Sequence, residues 1–183
     1  LKNKIVFNIY PSLEAQVAAI SDDIAYNNHD LEDGLRAGLF SIKKISSIPH
    51  ISKLIKKHAK NIKNFRREII ISQIVRDLIN LMVVDVINTT NKNLKLRNPQ
   101  TVNDIYKQDC LMVDFSDKMK KIDKQIKEFL KHNMYNHKKV ITSANKGKKI
   151  INDLFKYLLK NPRKYINKNM FQNESKERVI ADF

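Results

Sequence analysis

The sequence predicts an all-α protein, and three observations carry the prediction. Its 183 residues include only three Gly and four Pro, too few turn-formers for the many hairpins of a sandwich or barrel. Apolar side chains recur at helical spacing along most of the chain. Serines stand just ahead of several of these runs, where a helix needs a side-chain oxygen for its first unpaired amides. With 42% hydrophobic and 30% charged residues, the composition is that of an ordinary globular protein, and the length suits one domain with a real core. No repeat or low-complexity linker divides it, so residues 1–183 read as a single helical unit.

Residues 1–10 alternate loosely through Ile5, Phe7 and Ile9 and read as extended up to Pro11. Ser12 is the expected N-cap of the first helix, with Glu14 in its first turn to complement the dipole. Leu13, Val17, Ile20 and Ile24 then form one stripe, and Gly34 is the expected helix end. A shorter stretch, Leu39 to Ile48, is broken by Pro49, and a Lys-rich segment follows from His50 to Asn64. The widest apolar pattern runs from Ile69 to Val86, which places that helix centrally in the bundle. It is expected to fray in the polar run Asn88–Asn93. Residues 94–115 read as irregular apart from a helical piece at Val102–Tyr106. Ser116 or Asp117 caps the next helix, built on Met119, Ile122, Ile126, Phe129 and Leu130. A further helix carries Ile150, Ile151, Leu154, Phe155 and Leu158 and stops before Pro162, and Ser175 starts a last one.

The net charge of +16 and pI near 9.8 create a field that attracts polyanions: nucleic acid, nucleotide phosphates or acidic membrane surfaces. Lys far outnumbers Arg and Asn is abundant, a composition that AT-rich coding also favours, so charge alone does not choose among them. Cys110 is the only cysteine, which excludes an intrachain disulfide, points to a reducing compartment and reads as a small buried residue. No apolar run reaches the roughly 18 residues of a membrane span, and the start lacks the layout of a signal peptide. A cytoplasmic protein with no membrane partner is expected. No P-loop, GxGxxG, HExxH or GxSxG motif is present.

Chemistry concentrates on the first helix. At about 100° per residue, Asp22 lies almost opposite the stripe of Leu13, Val17, Ile20 and Ile24, with Tyr26 and Asp30 following on an adjoining strip. Ala15, Ala18, Ala19 and Ala25 surround them, where a solvated face usually carries Lys and Glu. That face is expected to pack closely or to wall a pocket; once buried, the Asp22 carboxylate would require a metal, an Arg or a Lys. The plain alternative is an ordinary polar helix face, and periodicity alone does not exclude it.

The stretch SLEAQVAAISDDIAYNNHDLEDGLRAGL, Ser12 to Leu39, resembles bacterial dGTPase-like proteins of the HD-domain superfamily. Weaker likeness continues through Asn64-Phe65-Arg66-Arg67, MYNHKKV (Met134 to Val140) and RVIAD (Arg178 to Asp182). The resemblance implies a helical bundle, the C-terminal part of an HD-domain phosphohydrolase fold. It also implies metal-dependent hydrolysis of a dNTP to deoxynucleoside and triphosphate. A divalent metal, Mg or Mn, is the implied cofactor, dNTP the implied substrate and a homo-oligomer the implied assembly. The family's D-x-x-x-Y-x-x-x-D pattern matches Asp22, Tyr26 and Asp30. By that match Asp22 is a metal ligand, Tyr26 packs by the sugar, and Asp30 hydrogen-bonds the sugar hydroxyl. A helix advances about 6 Å over four residues, so the three step naturally from phosphate to deoxyribose.

The departures matter as much. The family's first His and its His-Asp doublet precede this block, whereas here only Leu1 to Pro11 precede Ser12 and include no His. His29-Asp30 is a doublet in the wrong place, with neighbours that diverge by about 100° on a helix. The chain therefore reads as a C-terminal portion, either a fragment or the product of a shortened gene, inactive alone, and none of its residues is assigned to the cleavage step itself. Arg66 and Arg67 are candidates for the triphosphate, or else a helix-start pair bonding Glu68 or Asp77. Tyr135 and His137 read as packing and capping residues. Two other classes stay open: a basic helical nucleic-acid-binding module, whose binding would weaken steeply with salt, and a non-catalytic remnant.

Overall fold

The computed structural model describes residues 9–62, 66–167 and 174–183. The protein is all-α: among the described residues every regular element is a helix. In order these are α1 (Leu13–Arg36), α2 (Ile42–Ile45), α3 (Pro49–Ile62), α4 (Arg67–Arg97), α5 (Val102–Tyr106) and α6 (Asp117–Leu130). The last runs into a π-helical turn, Lys131–Tyr135, before α7 (Lys138–Lys160), α8 (Pro162–Tyr165) and α9 (Lys176–Asp182). The extended reading of the first ten residues lies outside the described residues except at Ile9, which is exposed, and Tyr10, whose amide donates to the Tyr106 carbonyl at 3.1 Å.

Local signals set most helix starts. Ser12, Ser116 and Ser175 each cap, their Oγ atoms accepting from the amides of Ala15, Met119 and Arg178. At α5, Thr101 and Asp104 form a reciprocal capping box. Pro49 opens α3, a position where its missing N–H costs nothing. His137 caps α7, its Nδ1 accepting from the Lys139 amide at 3.3 Å.

Two helix ends differ from expectation. Gly34 does not end α1, which continues to Arg36. The stop is made by Gly38 at φ 66: its amide donates to the Leu35 carbonyl at 3.2 Å and that of Leu39 to the Gly34 carbonyl at 2.9 Å, the paired bonds of a Schellman ending. Helix α4 does not fray at Asn88–Asn93 but runs through to Arg97, where Asn98 at φ 45 terminates it. Contacts distant in sequence hold that polar half. Asp85 accepts from the Ser116 amide and hydroxyl at 2.8 and 2.7 Å, and Asn93 donates to the Met112 carbonyl at 3.0 Å. Cys110, expected buried, is a half-buried free thiol.

Where a single helical unit is expected, the chain divides into two compact units, Leu1–Met134 and Tyr135–Phe183. In the first, α4 is central as predicted: Ile70, Ile74, Leu78 and Met82 are buried along it. Against it pack Leu31 and Leu35 of α1 and Ile51 of α3, and the same core takes in Ile122 and Ile126 of α6. The second unit has its own small core, Leu158 and Ile166 with Val179 and Ile180 of α9. Ile150, Ile151 and Leu154 of α7 lie outside that small core and are exposed.

Candidate functional site

Helix α1 presents two contrasting faces. The inner one buries Ile24, Leu31 and Leu35, and with them three amides that the apolar stripe did not reveal, Gln16, Asn27 and Asn28. Each buried amide has work to do, as burial without a partner would cost about 1–3 kcal/mol. Gln16 Oε1 accepts from the amides of Met112 and Val113 at 2.8 and 3.0 Å, while its Nε2 donates to the Pro11 carbonyl at 2.8 Å. Asn27 Nδ2 donates to Asp123 of α6 at 3.0 Å. Lys127 holds that carboxylate at 2.9 Å and Asp23 at 3.0 Å. Asn28 Nδ2 donates to the Ile24 carbonyl and contacts Met82 Sδ, leaving its own Oδ1 unsatisfied. Val17, expected in the buried stripe, is instead 48% exposed.

The outer face carries the candidate site. Asp22 is exposed, Tyr26 is 63% exposed, Asp30 is half-buried and His29 is exposed. Ala15, Ala18 and Ala19 are exposed as well, and Ala25 is half-buried. The expectation of a packed alanine wall is thus not met among the described residues, and burial does not force a cation onto Asp22. What the structure does bring together is Asp22, Tyr26 and Asp30 on one strip, with Asp22 and Tyr26 exposed because the opposite face anchors the helix. A cleft of 370 Å³ opens beside α1, lined by residues that include Gln16, Ile20, Asp23 and Asp123, but the strip is not part of its wall.

The arginines sit elsewhere. Arg67 Nη2 donates to the Leu35 carbonyl at 2.9 Å, at the far end of α1 and about 20 Å along the axis from Asp22. Arg66 occupies the N-cap position of α4 without a side-chain capping bond and is exposed. Among the described contacts neither holds Asp77, one of the two carboxylates, with Glu68, that sequence proximity suggested. Asp77 pairs instead with Lys57 at 2.8 Å and His58 at 3.0 Å, and the Lys57 bond, ahead of the His58 bond, lowers its carboxyl from the usual range. An unforeseen network joins Arg36 to Glu32 at 2.6 Å and to Ser72 at 2.8 Å, and the Arg36 bond lowers the Glu32 carboxyl. Helical spacing signals the i,i+4 pair; nothing in the sequence signals Ser72.

Among the described residues no group of three or more His, Cys, Asp and Glu is placed to hold a metal ion. Asp22 offers a single carboxylate, so the residues present do not by themselves make a divalent-cation site.

In the C-terminal part of this helical chain, residues 113–183 match the family model of the phosphohydrolase-associated domain. Over its whole length the chain is similar to a deoxyguanosinetriphosphate triphosphohydrolase-like protein of Pelagibacter ubique, 48% identical over 182 residues, covering 100% of this chain and 49% of that protein. Proteins of the same description from Brucella anthropi and Agrobacterium fabrum are each 39% identical over 153 residues, covering 84% of this chain and 38% of theirs. The dGTPase-like resemblance read in the sequence therefore extends along the chain, which spans about half the length of the first of these relatives and less of the others. No described helix is long and apolar enough to cross a membrane.

Proposed function

We propose that this chain supplies the sugar-binding side and one metal ligand of a cytoplasmic dNTP triphosphohydrolase, acting on dGTP or a similar nucleotide, and that alone it is inactive. The observation that carries this reading is the α1 strip of exposed Asp22, exposed Tyr26 and half-buried Asp30, each about 6 Å beyond the last. Tyr26 offers an open ring face for the deoxyribose, and Asp30 an acceptor for its hydroxyl. Arg66 is exposed and open to phosphate; Arg67 would have to give up the Leu35 carbonyl to join it. A divalent cation, Mg or Mn, would polarise the phosphate and acidify an attacking water. Its other ligands are not among the described residues, so the chain's own side chains orient the nucleotide and do not cleave it.

The test is triphosphate release from dGTP by the chain alone and by a chimera in which it replaces the matching part of the Pelagibacter ubique relative. Activity in the chimera alone, collapsing in Asp22→Asn, supports the reading. Undiminished activity in that variant removes Asp22 from the mechanism. A folded but inactive chimera, with several dNTPs and metals tried, favours the nucleic-acid-binding or non-catalytic alternatives.

A further inference from the structure

Three directional ties run along one line of α1. Gln16, Asp23 and Asn27 lie within about 40° of one another round the helix, and each bonds to residues 112–130. Gln16 Oε1 accepts from the amides of Met112 and Val113, Asp23 accepts from Lys127 at 3.0 Å, and Asn27 donates to Asp123 at 3.0 Å. Lys127 also holds Asp123 at 2.9 Å, so one ammonium joins a carboxylate of α1 to a carboxylate of α6. Val113 and α6 both belong to the segment that matches the phosphohydrolase-associated domain.

The line of ties runs between the two working faces of α1. On one side Ile24, Leu31 and Leu35 pack into the core. On the other lie Asp22 and Tyr26, about 100° round the helix from their neighbours Asp23 and Asn27. Ile24 is the first fully buried apolar residue of α1; before it only Gln16 is buried, with Leu13 and Ile20 half-buried. Apolar burial is non-directional, so it sets the rotation of this part of α1 weakly. Hydrogen bonds weaken steeply when bent, so the ties set it firmly. The frame they reach is itself fixed, because Ile122, Ile126 and Leu130 of α6 are buried in the same core. A rotation of about 20° would carry a side-chain tip ~6 Å from the axis by about 2 Å, a large displacement for a group that must meet a substrate.

We propose that Asp123 and Lys127 are positioning residues for the nucleotide site: from α6 they fix the rotation of α1 and with it the aim of Asp22 and Tyr26. The inference rests on the reading of that strip as a nucleotide site. Both residues act through α1 without touching the nucleotide. The associated segment thereby has a defined task, which is to hold the strip-bearing helix in register.

The experiment has two readouts. The first is amide hydrogen exchange in the 183-residue chain. Lys127→Met removes the shared ammonium and leaves Asp23 facing Asp123, so exchange at residues 20–26 should rise about threefold or more while residues 31–36 keep their wild-type rates. The second is dGTP hydrolysis by the chimera with the Pelagibacter ubique relative. There Lys127→Met should raise KM about tenfold with kcat nearly unchanged, the signature of lost substrate positioning. Partial unfolding would instead lower the apparent kcat and leave KM alone, because it removes active molecules without altering the rest. Lys127→Arg, which keeps a donor between the two carboxylates, should restore both readouts. Lys124→Met removes the same charge from α6 at a site whose carboxylate partner, Glu128, is 4.0 Å away, and should change neither. Unchanged exchange in Lys127→Met would overturn the ties. Raised exchange with unchanged KM, in a chimera that Asp22→Asn inactivates, would overturn the positioning role. A chimera indifferent to Asp22→Asn would remove the nucleotide site and the positioning role with it, while exchange, which needs no activity, reports on the ties separately.

Discussion

Gly34 and Phe40 occupy space that a single methyl group would make incompatible: a Cβ at Gly34 would lie 2.3 Å from Phe40 Cε1. The ring has little freedom to yield, being 5% exposed and packed edge-on against Phe129 with centroids 5.0 Å apart. Glycine therefore stands at position 34 for close approach, two residues before α1 ends at Arg36. Gly34→Ala is expected to destabilise the first unit by ~1–3 kcal/mol through overpacking, although alanine is the better helix former. Urea unfolding reads this directly, and an unchanged or raised midpoint would show that Phe40 moves freely.

Ser116 joins α6 to α4 while it caps α6. Its hydroxyl accepts from the Met119 amide at 3.2 Å and donates to Asp85 at 2.7 Å. Ser116→Ala should cost ~1–2 kcal/mol, the range for loss of an N-cap. In a double-mutant cycle with Asp85→Ala the two losses should be less than additive, because the residues share a bond. Strict additivity would refute the link.

Asp123 is 9% exposed and accepts from Asn27 on one oxygen and Lys127 on the other. Asp123→Ala leaves the buried Asn27 amide without that partner, at an expected cost of ~1–3 kcal/mol. Thermal unfolding of the variant measures it, and a loss well below that range would mean that water replaces the carboxylate.

Acid sensitivity should arise in part at Asp77. Its bonds to Lys57 and His58 lower its carboxyl from the ordinary value of 3.8. A carboxylate with a lowered folded-state pKa contributes stability that is present above its unfolded value and lost as pH falls through the folded one. The contribution should therefore be full above pH 3.8 and fade below it. Asp77→Asn should flatten that part of the stability profile, measured as urea midpoint against pH. Parallel profiles for the two proteins would exclude the effect.

Substitutions on the open strip of α1 should separate function from folding. Asp22 and Tyr26 are exposed, so Asp22→Asn and Tyr26→Phe should change stability by less than ~0.5 kcal/mol. Denaturant midpoints of the 183-residue chain check this, and a larger loss would give these residues a structural role that the exposed strip does not show.

Much of the fold is legible in the residues themselves. Ser12, Ser116 and Ser175 each lie next to the amides they cap, and the apolar width of Ile69–Val86 marks the central helix. The Asp22, Tyr26 and Asp30 strip is legible too, because four-residue steps share a helix face whatever surrounds it.

What only the tertiary structure decided depends on groups far apart in the chain. The polar end of α4 stays helical because Ser116 and Met112 bond to Asp85 and Asn93. Gly34 lies inside a helix because Phe40 returns against it. Arg67 meets a carbonyl rather than Asp77 because the end of α1 lies beside the start of α4. Covering of a face is the hardest property to read: Asn28 is buried and Ile151 exposed, against the preference of each side chain. Periodicity shows which residues share a face, while burial depends on which other surface reaches it.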